Sequence, residues 1–238
     1  MTASRNAICR CAFSALLIAA ALSLDAFAAP AGEVTHVSGA LMVRKADGSS
    51  KILAPQSKVD AGDLLATAGD TYARVKFADG GEVTLRPNTQ FRIESFVYDQ
   101  ANAATDSALF NLIKGGLRTI TGALGKRKPD AYQMRTAVAT IGIRGTNYGL
   151  LLCQNDCQNL RNNEGQVPQN GLHLDVAQGL ISVTNAGGER LLSIGQFGFV
   201  QNNTVPMNLV PPGQGVTSNT PSFQGPPSGS NVECAVQP

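Results

Sequence analysis

YARVKFADGGEVTLR, residues 72–86, is the stretch that decides the fold. Apolar and polar side chains alternate on both sides of its Asp79-Gly80-Gly81 sequence. Alternation with a period of two is typical of a strand with one buried face, and Asp-Gly-Gly between two such runs favours a tight turn. The stretch therefore predicts a β-hairpin. Its solvent face carries Arg74, Lys76, Glu82, Thr84 and Arg86. Its buried face carries Ala73, Val75, Phe77, Val83 and Leu85.

Short alternating runs separated by glycine turns recur along most of the chain. Residues 41–53 have the same pattern around another glycine turn, and a weak repeat relates residues 37–43 to residues 176–183. Repeated short strands with glycine corners predict an all-β fold of stacked short hairpins, similar to a β-roll. We expect a first β domain over residues 30–157 and further strands of the same core over residues 158–205.

The two ends of the chain differ in composition from this central part. Residues 1–28 combine two arginines, a short apolar run and an Ala-Phe-Ala sequence, which predicts a signal peptide cleaved after Ala28. The apolar run is shorter than a membrane-spanning helix requires, so we expect a periplasmic or secreted protein without a transmembrane span. Residues 206–238 are rich in Pro, Gly, Ser and Asn, which predicts a disordered tail.

The cysteines that follow the signal peptide predict one disulfide bond. Export to an oxidising compartment favours disulfides over free thiols or metal sites. Cys153 and Cys157 are close enough in sequence to close a small loop, so we expect them to form the bond. Cys234 is then left without an obvious partner.

No motif in the sequence predicts catalysis, a cofactor or a metal. The two histidines, His36 and His173, lie far apart in strand-like stretches, and no Gly-x-Ser-x-Gly sequence is present. Four carboxylates occur in pairs beside turns, where they are more typical of turn formation than of acid–base catalysis. They are Asp60, Asp63, Asp79 and Glu82.

Basic residues are the candidates for contacts with a partner. A run of three forms the one local charge cluster, and it is interpreted either as a solvated loop or as an anion or polysaccharide contact. A fourth basic residue lies in a glycine-rich stretch that is interpreted either as tight backbone corners or as a grip on a partner's carboxylate. These residues are Lys126, Arg127, Lys128 and Arg144. The chain's net charge of +2 gives no reason to expect nucleic acid as a partner.

The chain resembles the FecR domain family. The resemblance runs from Gly32 to about Cys157, and its main motifs lie at residues 59–67, 77–80, 83–93, 114–118 and 140–146. It implies a periplasmic β-rich module. The regulators that give the family its name relay a signal from an outer-membrane transporter to a sigma factor through a membrane span. A signal peptide directly before the domain is instead similar to stand-alone exported FecR-domain proteins, which puts an iron-signalling role in doubt.

Three functions follow from these observations, in decreasing order of support. The first is a non-enzymatic envelope module for protein interaction, scaffolding or signalling, in which sheet edges accept a partner strand. The second is a protein that binds cell-wall or capsule carbohydrate, although the absence of Trp removes the usual aromatic platform. The third is a secreted hydrolase, for which no nucleophile and base can be named.

Overall fold

The computed structural model describes residues 29–218 and 220–221, and these residues form an all-β fold. The predicted fold class is therefore confirmed. The predicted signal peptide and Cys234 lie outside the described residues. The strands are β1 (Gly32–Val37), β2 (Leu41–Arg44), β3 (Ser50–Leu53), β4 (Lys58–Val59), β5 (Leu64–Thr67), β6 (Ala73–Phe77), β7 (Glu82–Leu85), β8 (Gln90–Val97), β9 (Ser107–Ile120), β10 (Tyr132–Arg135), β11 (Thr140–Cys153), β12 (Gly171–Asn185), β13 (Gly188–Ser193), β14 (Phe197–Val200) and β15 (Asn208–Val210). Helical structure in the described part is limited to the short helix α1 (Ala123–Arg127) and two 3-10 turns, Ala103–Thr105 and Pro129–Ala131.

The strands form one sheet that folds over into two layers. Layer A has the order β4-β1-β6-β7-β9-β11-β12-β14-β15, and layer B has the order β3-β2-β5-β8-β9-β10-β11-β12-β13. Three long strands belong to both layers, because each pairs with different neighbours at its two ends. These strands are β9, β11 and β12.

Glycine makes the bends of two of these long strands possible. Gly115 in β9 has a φ of 80°, and a Cβ atom there would lie 2.7 Å from the carbonyl oxygen of Asn88. Gly179 in β12 has a φ of 78°, and its Cβ would lie 2.4 Å from the carbonyl oxygen of Gly145. Side chains are excluded at both positions by the positive φ and by the close backbone. The third strand, β11, bends where its register to β12 shifts, between Arg144 and Asn147.

The hydrophobic core lies between the two layers. Phe77 of layer A contacts Phe96 and Phe110 of layer B, with ring centroids 5.2 and 5.0 Å apart. The hydroxyl groups of Tyr148 in layer A and Tyr132 in layer B lie 3.1 Å apart and form a hydrogen bond inside the core. All the apolar side chains that the hairpin pattern placed on the buried face are buried, which confirms its register.

Thr84 of that hairpin differs from the prediction. Thr84 was expected on the solvent face, but only 5% of it is exposed. It lies opposite Arg74 on one side and Arg118 on the other. The long aliphatic stems of arginine cover neighbouring surface, so a small side chain between two of them is shielded from water.

The outer face of layer A is covered by two segments, which we call the disulfide loop (residues 154–170) and the strap (residues 211–218). Asn163 joins them, since its backbone N–H donates to the carbonyl of Gly215 at 3.0 Å and its side chain donates to the carbonyl of Pro212 at 2.7 Å. Beneath them lies a small second cluster of buried apolar residues. It consists of Leu151, Cys153, Cys157 and Val216, with Leu160 packed against it.

The chain beyond Pro206 differs from its prediction as a disordered tail. Residues 208–210 form β15 on the edge of β14, Met207 is buried, and Ser218 donates its backbone N–H to Asp175 at 2.9 Å. The physical reason is that β14 offers a free edge and the outer face of layer A offers apolar surface. The part of the predicted tail after residue 221 lies outside the described residues.

Candidate functional site

A groove of about 260 Å³ crosses the outer face of layer B over β10–β13. The strand register explains its composition, because Gly142 lies opposite Ser182 and Ser182 lies opposite Leu191. These positions all point away from the core. Gly142 forms the floor, since a Cβ there would lie 2.7 Å from the hydroxyl oxygen of Ser182. The missing side chain creates the depression.

The groove carries charges of both signs. Arg144 lies opposite Leu180, at the end of the groove near Ser193, whereas Glu189 lies opposite Thr184, at the other end. Four residues of strand separate these ends, or roughly 13 Å. Asp130 also lines the groove, but Arg144 forms no ion pair within residues 29–218 and 220–221. The guanidinium is therefore available to a partner.

One wall of the groove is an open sheet edge. Among the described residues, four strands have only one neighbour, and β13 with six residues is the longest of them; the others are β3, β4 and β15. Leu191 on β13 is 58% exposed, and Ile194 directly after the strand is 63% exposed. An unpaired edge beside exposed apolar side chains is a place where another chain can add a strand.

The three basic residues of the predicted charge cluster, 126–128, do not share one environment in the structure. Arg127 binds Asp106 through two hydrogen bonds, from Nε at 2.6 Å and from Nη2 at 2.8 Å, and its guanidinium lies 4.6 Å from the centre of the Tyr98 ring. These bonds hold the pKa of the Asp106 carboxyl below its usual range. Lys128 donates to the carbonyls of Ala104 and Asp106. Both side chains thus fasten α1 to the turn before β9.

Lys126 and Arg144 are exposed and, unlike Arg127 and Lys128, have no internal partner in the part of the chain that the structure describes. Residues 129 and 130, which follow α1, line the groove, but the structure does not bring Arg127 into it. All four residues stay predictions as partner contacts. Of the four, Arg144 is the one that the fold places in the groove.

The predicted disulfide is confirmed. The sulfur atoms of Cys153 and Cys157 are bonded at 2.02 Å. Cys153 ends β11, so the bond turns the chain sharply at the start of the disulfide loop. Cys157 is buried beside Leu151. The bond therefore anchors the loop on the outer face of layer A.

The paired carboxylates and the histidines have structural partners. Lys45 Nζ binds Asp60 at 2.8 Å and Asp63 at 2.7 Å, and Asp79 accepts the N–H of Gly81. His173 bonds the carbonyl of Gln169 at 2.8 Å, and burial lowers the pKa of its imidazole. Among the described residues, no three His, Cys, Asp or Glu side chains are grouped as metal ligands. Their geometry is that of turns and packing.

The residues of β13 carry no sequence motif that marks them as a site. The pattern around residues 185–188 predicts a hairpin turn, and β12 and β13 form that hairpin. Nothing local in the sequence indicates that the other edge of β13 is left open, because this depends on where the long strand β12 bends. Glu189 and Leu191 were missed for this reason.

Comparison with known families agrees with the sequence motifs found between residues 59 and 146. The profile of the family described as FecR protein matches residues 63–168. Residues 63–168 carry a FecR domain. The match begins later and ends later than the sequence motifs suggested, and it includes β5–β11 and most of the disulfide loop. The FecR domain thus supplies β10 and β11 of the groove, whereas β12 and β13 lie beyond it.

Comparison with solved structures gives distant likenesses. Two crystal structures of a candidate anti-sigma factor from Parabacteroides distasonis match with TM-scores of 0.45 at 14% and 15% identity. Each match covers 62% of this chain and 58% of that protein. A structure described as a cell surface anchoring domain matches with a TM-score of 0.26 and 21% identity, over 26% of this chain and 83% of its own. No curated protein sequence matches the chain.

The described residues contain no helix with the length and apolar character needed to span a membrane.

Proposed function

We propose that this protein is a non-enzymatic interaction module of the bacterial envelope, which binds a strand of a partner protein at the open edge of β13. The observation that carries the proposal is the open edge itself, with Leu191 exposed on it and the groove beside it. The FecR domain supports a signalling or scaffolding role in the envelope. Its carboxylates Asp63 and Asp79 are engaged in an ion pair and a turn.

The charges of the groove provide the specificity in this proposal. A strand added to β13 would place every second side chain over the outer face of layer B. An acidic residue of the partner then pairs with Arg144, and a basic residue pairs with Glu189 about four positions along. Glu189 and Arg190 also discourage unspecific edge pairing, since charged side chains on an edge strand oppose aggregation.

The test is quantitative crosslinking of envelope extracts with the exported protein and four variants. Leu191→Lys places a charge on the proposed edge, and Ile52→Lys makes the same change on the edge strand β3, where Ile52 is 77% exposed. Arg144→Glu reverses the charge in the groove, and Arg44→Glu does so on β2. We expect Leu191→Lys and Arg144→Glu each to lower the recovery of one partner protein about tenfold. Ile52→Lys and Arg44→Glu should leave that recovery unchanged.

Two results would contradict the proposal. Equal recovery of the partner with all four variants would exclude both the β13 edge and Arg144. Retention by a wall or capsule polysaccharide that is unaffected by Leu191→Lys would replace strand addition with the carbohydrate-binding alternative.

A further inference from the structure

Arg86 is a cation at the bottom of a cavity on the other side of the molecule. Its backbone is fixed after β7, because its N–H donates to Gly116 at 2.9 Å and its carbonyl accepts the Thr67 hydroxyl at 2.6 Å. The side chain runs over Gly116, where a Cβ atom would lie 3.1 Å from Arg86 Cδ. The fold therefore directs this guanidinium across layer A.

One nitrogen of this guanidinium is both buried and unsatisfied. Arg86 Nη1 has no hydrogen-bond partner among the described residues. Burial lowers the pKa of the guanidinium, although arginine stays charged at neutral pH. A buried charged donor without a partner is costly, and such groups in native proteins call for an explanation such as a bound ion or ligand. Arg86 is therefore a candidate group for binding an anion.

Asp175, whose negative charge acts on Arg86, is already hydrogen-bonded to other groups. Asp175 binds Arg118 Nη2 with one oxygen and accepts the N–H of Ser218 with the other. Arg118 also donates to the side chain of Asn147 at 2.8 Å. Two guanidinium groups thus share one carboxylate, and the hydrogen bonds assign it to Arg118. The positive charge on Arg86 therefore has no ion-pair partner of its own among the residues that the structure describes.

A cavity of about 240 Å³ lies beside Arg86, between the turn after β7 and the disulfide loop. Apolar atoms of Leu151, Leu160 and the disulfide form one side of it, and the amides of the exposed residues Asn88 and Asn159 also line it. Asp156 also lines it and is paired with Lys114 at 3.6 Å. The cavity therefore offers one free cation, hydrogen-bonding amides and an apolar wall.

We propose that this cavity binds a carboxylate with a short apolar body, held by Arg86 against Leu151 and Leu160. Arginine suits a carboxylate because its planar fork can donate two parallel hydrogen bonds to the two oxygens. A doubly charged anion fits less well, since only one cation is uncompensated and Asp156 adds a negative charge to the rim. The carboxylate belongs either to a small free acid or to the C-terminus of a peptide.

Calorimetric titration with N-acetylalanine and with its neutral amide tests the charge of the ligand. We expect the acid to bind with a Kd of about 1 mM or below and the amide to bind at least about tenfold more weakly. A peptide ending in a free Ala carboxylate, compared with its amidated form, distinguishes the two sources. Tighter binding of the free-ended peptide than of N-acetylalanine assigns the site to chain ends, and the reverse assigns it to small acids.

Two pairs of variants locate the site. Arg86→Met removes the cation at similar length, and Arg190→Met does the same on the exposed surface of β13. Asn159→Glu adds a negative charge to the lining of the cavity, whereas Gln158→Glu adds it one residue away, outside that lining. We expect Arg86→Met and Asn159→Glu each to weaken acid binding about tenfold or more, and the controls to bind normally.

The second pair keeps the test decisive if Arg86→Met fails to fold, because Asn159 is exposed on a loop. The proposal is overturned if the acid does not bind at about 10 mM, if the amide binds equally well, or if Asn159→Glu and Gln158→Glu bind alike. Arg86→Met does not alter the β13 edge. Binding of the acid at Arg86 and binding of a partner strand at β13 can therefore be disproved separately.

Discussion

Phe77 is the residue at which the two layers depend on each other most directly. Its ring is 4% exposed and contacts Phe96 and Phe110 across the core. We expect Phe77→Ala to lower the free energy of unfolding by about 3–5 kcal/mol, because it leaves a cavity that neighbouring rings cannot fill. Chemical denaturation monitored by circular dichroism measures this.

Lys76→Ala is the matched control for this prediction. Lys76 is next to Phe77 in β6, points to the opposite face and is exposed. The substitution should change the free energy of unfolding by no more than about 0.5 kcal/mol. Arg74 also points outward as predicted, but its Nε lies 3.8 Å from Glu82, so it is a less neutral position. A larger loss with Lys76→Ala than with Phe77→Ala would invert the assigned faces.

Side chains on the buried face of β6 and β7 could be predicted from the sequence, and those that cover the outer face could not. The period of two is local, so it identifies Val75 and Val83 as core residues without knowledge of the fold. Arg86 faces solvent in that pattern, whereas one nitrogen of its guanidinium is buried in the structure. Arg118 bonds Asp175 of β12 and the carbonyl of Ser218 in the strap, and both partners are far away in sequence.

At the level of elements, the strap and β15 are parts of the fold that composition alone misrepresents. The mean amino-acid composition of residues 206–238 is dominated by Pro, Gly and polar residues, which predicts disorder. Two of the few apolar residues in this segment are buried, since Met207 and Val216 are each no more than 5% exposed. Composition averages over a segment, whereas docking depends on individual residues and on a free strand edge.

Truncation tests this reassignment. Removing residues 207–238 should destabilise the domain by several kcal/mol, because burying side chains such as Met207 and Val216 contributes about 1.5–3 kcal/mol each. Removing residues 222–238 is the control and should leave the melting temperature within a few degrees of the full protein. Thermal unfolding of the two truncated proteins gives the comparison. Equal melting temperatures would mean that the strap contributes nothing to stability.

The architecture of the whole molecule differs from a simple stack of hairpins in one respect. The repeats predict short strands separated by glycine corners, whereas residues 107–120, 140–153 and 171–185 each form one long bent strand. A glycine with positive φ is compatible with a turn that reverses the chain and with a bend that transfers a strand to the next layer. Local sequence does not distinguish the two, so the all-β class was predictable and the layer order was not.

The fold limits where the mature chain can begin. Ala31 is buried, its carbonyl accepts the N–H of Ala78 at 2.9 Å, and Gly32 pairs with Val59 and with Phe77. Cleavage after Ala28 keeps all of these contacts, whereas cleavage a few residues later would remove them. We therefore expect exported protein to begin at Ala29.

N-terminal sequencing and peptide mapping of exported protein check both the cut and the compartment. The first should read Ala-Pro-Ala-Gly from Ala29, and the second should recover Cys153 and Cys157 in one disulfide-linked peptide, as an oxidising compartment favours. Ala28→Glu is the control, because a charged residue directly before the cut should prevent processing and leave the longer form. Exported material that still begins at Met1 would contradict the prediction. Mature protein with both thiols reduced would instead place the cleaved domain in a reducing environment, where the anchor of the disulfide loop would be lost.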